Sequence, residues 1–181
     1  MSRFVELTHG FGRGTSLDGT SLAAPSRRFP EGDEVGRLPL AAVARIPAVV
    51  VDAGVEPRGI ELDAAKDVVS GRAVLVRTGW DACWGTRRYR ERGPYLASPA
   101  VDLLLACDAL LVGVDFASVD DTADPARPAR TRLLTAGVLV VEHLANLRAL
   151  PRDGFHFFAV PLRPGGRSPW PVRAFAELLP P

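Results

Sequence analysis

This sequence predicts an α/β fold with a mixed sheet, in a single domain over residues 1–181, and three observations lead there. Apolar, β-branched runs recur at 46–52, 74–76, 109–116 and 138–142, as expected of strands covered on both faces. Short helical patterns lie between them, the alternation typical of α/β domains. Some connections are too short for parallel crossovers, so part of the sheet has to be antiparallel.

Taken in order, Phe4 to His9 alternates like a strand and ends at Gly10. From Gly10 to about Gly36 the chain is rich in Gly, Ser, Arg and Pro and shows little apolar periodicity. So long a segment without regular structure is more often functional than idle, the alternative being a surface loop. Leu38 to Arg45 is expected as a short helix, and Ile46 to Asp52 as a strand with an early proline. Glu61 to Val69 reads as a helix with Leu62, Ala65, Val68 and Val69 apolar, stopped by Ser70-Gly71. Ser98-Pro99 suits a helix start, a capping hydroxyl followed by proline in the first turn, with Val101, Leu104 and Leu105 facing the core. Ala109 to Phe116 is a buried strand closing on Asp115. A polar loop, Ser118 to Pro128, precedes a helical turn at Arg130 to Ala136, and Val138 to Glu142 is the next strand. Phe155 to Leu162 is read as the last strand, and Pro171 to Leu179 as a tail that starts helical.

Composition narrows the function. With 181 residues, 47% of them hydrophobic, the chain can bury a substantial core. A net charge of +1 gives no bulk attraction to nucleic acid or to an anionic membrane, and neither is expected as a partner. The basic residues are nearly all arginine, Lys66 being the lone lysine. There is no basic-then-apolar leader and no apolar run near the length of a membrane span. Two cysteines, Cys83 and Cys107, are too few for a disulfide scaffold and lack zinc spacing, so a cytoplasmic protein is expected.

The chemistry-bearing stretch is Val74 to Trp84, a buried strand that breaks at Thr78-Gly79 and delivers Trp80, Asp81, Cys83 and Trp84 into one loop. Cys83 reads either as a nucleophile or as a small buried hydrophobe in an aromatic pocket. Cys107, on a Leu-rich helix, reads as core. Asp115 reads as a base or orienting group, or as a cap or salt-bridge partner. Trp80 and Trp84 suit recognition of an apolar ligand. His143 follows Glu142 on a strand, where successive side chains face opposite ways, so the two are not expected to share a pocket. His156, in Phe-His-Phe-Phe, reads as packing.

Arg77-Thr78-Gly79-Trp80, Trp84-Gly85-Thr86 with Tyr89, and Gly113-Val114-Asp115 with Ser118 and Asp120 resemble the cyclase family that includes kynurenine formamidase and isatin hydrolase. So do Glu142 with Leu144-Ala145-Asn146-Leu147, Pro161-Leu162, and Ser168-Pro169 before Pro171-Val172-Arg173-Ala174. The resemblance implies a swivelling β/β/α domain, a homo-oligomer, and a site near a subunit interface. It also implies a divalent ion held by a motif H-x-G-T-H-x-D-x-P-x-H, whose ligand types suit zinc or manganese. In the matching stretch Gly19, Thr20 and Pro25 are kept, but Leu17 and Ser21 replace histidines, Ala23 the aspartate and Arg27 the last histidine. The histidine expected twelve residues before Glu142 is Arg130. Glu142 alone is retained, and Asp18 could join it only as a weak carboxylate pair, so no metal and no other cofactor is expected.

Without a metal, the chain resembles the Dieckmann cyclases, in which a cysteine accepts a polyketide or polyketide–peptide chain from its carrier-protein thioester before a substrate carbanion closes the ring. That resemblance implies Cys83 as nucleophile and Asp115 as orienting group or base. The expected histidine has no counterpart, and His9 and His143 are the candidates to replace it. Arg27 and Arg130, with Ser21, suit a negative oxygen such as an enolate or a carrier-bound phosphate. Two alternatives stand beside this reading. One is non-covalent cyclisation or proton transfer through Asp115, Glu142 and the arginines. The other is a non-catalytic relative that binds a small acidic ligand.

Overall fold

In the computed structural model the described residues are 3–9, 19–91, 93–163 and 169–180. In chain order the strands are β1 (Arg3–Glu6), β2 (Ser21–Ala23), β3 (Ile46–Asp52), β4 (Gly59–Ile60), β5 (Ala73–Arg77), β6 (Tyr95–Leu96), β7 (Leu111–Val114), β8 (Leu139–Glu142), β9 (Phe155–Pro161) and β10 (Trp170–Leu178). The α-helices are α1 (Lys66–Val69), α2 (Arg87–Glu91), α3 (Ser98–Ala106) and α4 (Pro128–Thr135).

The β-branched runs form β3, β5, β7 and β8, and these pair in parallel in that order. The other pairings that close this sheet are antiparallel: β2 on β8, β10 on β2, β9 on β10, and β3 on β9. The mixed sheet expected from the short connections is therefore present, and it closes on itself as a seven-stranded barrel, β10-β2-β8-β7-β5-β3-β9. Strand β1 lies along β10 and completes the ladder. No helix among the described residues is long and apolar enough to cross a membrane.

Alternation along the strands separates two cores. Ala48, Val50, Leu75, Leu111 and Val141 point into the barrel with Phe155, Phe157, Ala174 and Ala176. Val49, Val51, Val74, Val76, Val112 and Val140 point outward and are covered by Val101 and Leu104 of α3 and Leu133 and Leu134 of α4. Each such side chain, once buried, contributes about 1.5–3 kcal/mol relative to remaining exposed. Gly113 faces inward where a Cβ would come within 2.7 Å of the side-chain ends of both Leu75 and Leu144, so any larger residue there would have to displace those two leucines.

Four local expectations are corrected. The segment Pro171 to Leu179 is no helical tail but most of β10, with Val172, Ala174 and Ala176 buried inside the barrel. The helix expected over Leu38 to Arg45 is a single 3₁₀ turn, Leu40–Ala42, in which no residue is buried. The one over Glu61 to Val69 is reduced to α1, because β4 pairs with β6 and the chain after Ile60 continues without helix as far as Ala65. Ser98 lies inside α3 rather than capping it, and its Oγ accepts a hydrogen bond from Arg132 Nη1 at 3.2 Å.

Candidate active site

The four parallel strands end on the same side of the barrel, and their carboxyl ends carry Asp52, Arg77, Asp115 and Glu142. Asp52 and Arg77 are cross-strand partners that form a two-point ion pair at 2.6 and 3.0 Å. Beside them, Asp115 is fully buried. Its carboxylate accepts from Thr78 N at 2.9 Å, Thr78 Oγ1 at 2.5 Å and Gly79 N at 2.7 Å. Gly79 adopts φ +75°, a left-handed conformation in which glycine is the least strained residue, and this lets both amides turn toward one carboxylate. Burial nevertheless outweighs these donors and pushes the Asp115 pKa up from 3.8 to about 6. Asp115 thus pins the turn that starts the tryptophan loop.

A second cluster forms around Glu142. Ser21 is its cross-strand neighbour on β2 and Pro171 pairs with Ser21 on β10. Arg130, in the first turn of α4, donates from Nη2 to Glu142 Oε1 at 2.5 Å and to Ser118 Oγ at 3.2 Å. Its Nε donates to Asp120 Oδ2 at 3.4 Å, and its backbone N to Asp120 Oδ1 at 3.2 Å. Val119 N completes the shell of Glu142 at 2.9 Å. Arg130, Asp120 and Glu142 are all buried, so each charge depends on the others. Burial raises the Asp120 pKa, while the guanidinium of Arg130 acts against the rise.

These groups border a cavity of about 610 Å³, a volume typical of small-molecule sites. Ser21, Arg27, Arg130 and Glu142 line it, joined by Arg28, Arg127, His143 and Trp170. Contrary to the strand-alternation expectation, Glu142 and His143 line the same cavity. The reason is local: β8 ends at Glu142 and His143 takes φ +60°, which breaks the alternation. Thr20 holds that conformation, donating its hydroxyl to the His143 carbonyl at 2.5 Å while accepting from His9 N at 3.2 Å. His143 Nδ1 shares a 3.1 Å hydrogen bond with the Tyr89 hydroxyl. Burial raises the Tyr89 pKa, so that hydroxyl keeps its proton.

Other candidates lie behind this wall. The Trp84 ring stacks on His9 at 4.0 Å and meets Tyr89 and His143 edge-on. Burial lowers the His9 pKa from 6.5 to about 4, so its ring is neutral. Trp80 is buried, donates Nε1 to the Tyr89 carbonyl at 3.2 Å and lies under Arg88. Cys83 ends a 3₁₀ turn, Trp80–Cys83, half-buried against the outer core. Cys83, Asp115, His9, Trp80 and Trp84 are not among the residues that line the cavity. Cys107 is buried in the core, as read from the sequence. Leu17, Asp18 and Ser168 lie outside the described residues.

The donor set around Glu142 does not fit a divalent ion. Glu142 already accepts from a guanidinium and an amide, Ser21 and Ala23 supply no imidazole or carboxylate, and Arg27 adds positive charge. Among the described residues no group of three or more His, Cys, Asp or Glu side chains is placed to hold a metal.

A closed mixed barrel of this kind, with a polar cavity at the carboxyl ends of its parallel strands, defines an α/β protein of the isatin-hydrolase fold. Isatin hydrolase A from Labrenzia aggregata, solved bound to benzyl benzoate, superposes with a TM-score of 0.80 at 22% identity, over 99% of this chain and 94% of that one. A structure described as a potential metal-dependent hydrolase with cyclase activity gives 0.77 at 19% identity over the whole of both chains. A protein from Bacillus stearothermophilus, described as a predicted metal-dependent hydrolase, gives 0.74 at 20% over 98% of each chain. Residues 7–121, more than half of the chain, match the family described as "Putative cyclase", and the chain belongs to that family.

Proposed function

We propose that this member of the family is an enzyme that works without a divalent ion, closing a ring on a small acyl substrate by proton transfer at the cavity around Arg130 and His143. The observation that carries this reading is the Arg130 guanidinium, buried against Glu142 and Asp120 at the edge of the cavity. A guanidinium can hold an enolate or a tetrahedral oxyanion, but it cannot lower the pKa of a bound water as a metal does. That favours carbon–carbon or carbon–heteroatom ring closure over hydrolysis. His143, oriented by Tyr89, takes the proton from the acidic position next to a carbonyl, and Arg130 holds the enolate oxygen. The carbanion attacks the second acyl carbon, and His143 returns the proton to the departing group, so no cofactor is consumed.

The covalent version, with a carrier-bound thioester as substrate, gives Cys83 the acyl chain first. Its thiolate would displace the carrier thiol and leave again on ring closure. One observation favours it: Cys83 adjoins Trp84, whose ring lies edge-on to His143 at 5.6 Å. A panel of small acyl thioesters and esters with acidic α-protons, followed by mass spectrometry, tests both. Chelator-resistant ring formation, reduced about 10²-fold or more by His143→Gln and untouched by Cys83→Ala, is expected. Loss of turnover in Cys83→Ala with an acyl-enzyme in the wild type would establish the covalent route instead. Chelator-sensitive turnover would overturn the metal-independent reading.

A further inference from the structure

The charge lining the cavity is unbalanced in a way that the Arg130 cluster does not explain. Among the described residues four arginines face it, and the single carboxylate in its wall, Glu142, is already taken by Arg130. The other three have no acidic partner of their own among the described residues. Arg28 gives two of its five N–H donors, one to Thr131 Oγ1 and one to the Ala126 carbonyl, both at 2.9 Å. Arg127 gives two of its five N–H donors to the carbonyls of Asp121 and Thr122, at 3.2 and 3.3 Å. The nearby Asp121 carboxylate is claimed by Arg58 at 3.2 Å. Arg27 has neither a hydrogen bond nor an ion pair among the described residues. Its pKa is lowered by burial first, then by the charges of Arg130, Arg28 and Arg127, with only Glu142 opposing them.

Like charges held together at a concave wall, two of them fixed by backbone carbonyls, cost stability unless an anion enters. Guanidinium forks match the tetrahedral geometry of phosphate oxygens and bind them in pairs. Pro169, Trp170 and Pro171 also line the cavity and add apolar ring surface suited to the rest of a small ligand.

We infer that Arg27, Arg28 and Arg127 form a subsite for a doubly charged oxyanion of the phosphate-monoester kind, carried by a small molecule whose body lies against Trp170. This deepens the catalytic reading by naming what the cavity holds. It stands on charge and shape, so a chain without turnover would still bind the dianion.

Two probes of the same shape separate charge from fit: phenyl phosphate, whose second proton leaves near pH 6 (about 6 for phosphate monoesters), and phenyl sulfate, which carries one charge. Calorimetry at constant ionic strength should show phenyl phosphate binding about tenfold tighter or more than phenyl sulfate at pH 8, about one 1.4 kcal/mol decade, with the preference shrinking at pH 5. Arg27→Gln, which breaks no hydrogen bond or ion pair among the described residues, should abolish most of the preference, and the distant Arg37→Gln should leave it intact. Equal affinity for the two probes, no binding of either, or a preference that survives Arg27→Gln would overturn the subsite. Dianion preference without ring formation would sink the catalytic reading alone; ring formation without dianion preference would sink this one alone.

Discussion

Arg130 takes three partners at once, and its loss exposes what each of them needs. Arg130→Ala leaves Glu142 and Asp120 buried without a cation, so a loss of about 3–5 kcal/mol in denaturant unfolding is expected. Arg130→Lys should recover only part of it, because an ammonium cannot serve Glu142, Ser118 and Asp120 from one planar fork. His9 and Asp115 give the pH dependence, with opposite signs. The folded His9 pKa is depressed to about 4, so its contribution is full above pH 6.5 and is lost as pH falls toward 4. The folded Asp115 pKa is raised to about 6, so its contribution is full below 3.8 and is lost as pH rises through 6. His9→Phe keeps a ring against Trp84 but removes the first effect. Relative to wild type it should therefore gain stability between pH 7.5 and pH 5.5 in urea titrations. An offset that is the same at both pH values would mean that the fold does not hold His9 neutral. At this scale the sequence made Arg130, Arg27 and Ser21 visible because they stand where the motif has histidines, and Glu142 because it alone is retained. Arg28 and Arg127 were not legible, since their meaning depends on the loop after β7 folding against the turn after β2.

The Thr78-Gly79 turn shows how an element positions a site it does not line. Asp115→Ala would strand three donors in a buried space, and a loss of about 3 kcal/mol or more is expected, with Trp80 fluorescence reporting the loosened loop. Gly79→Ala, forced to φ +75°, should cost about 1–2 kcal/mol by itself. The parallel strands were readable because runs such as Val49-Val50-Val51 admit few other structures. Strand β10 was not. Its Ala and Glu residues favour helix locally, and only pairing with β9 on one edge and β1 and β2 on the other makes it a strand. For the same reason the closure of the barrel could not be read: it is made by pairings between residues more than a hundred positions apart.

Among the described residues no α-helix covers one face of the barrel. Helices α3 and α4 cover the outer side of the parallel strands, whereas Phe4, Phe158 and Phe175 form a ring cluster on β1, β9 and β10, with Phe4 60% exposed. We expect self-association through this face. In sedimentation equilibrium at micromolar concentration the wild type should run as an oligomer and the Phe4→Arg/Phe175→Arg variant as a monomer; a monomeric wild type would exclude the interface. We propose that the Arg130 guanidinium, bound to Glu142, balances that carboxylate's charge in place of a divalent ion. Calorimetric titration of chelator-treated protein with zinc and with manganese tests it most directly. No stoichiometric binding heat and an unchanged melting temperature are predicted. One equivalent bound tightly, with binding lost in Glu142→Gln, would contradict it.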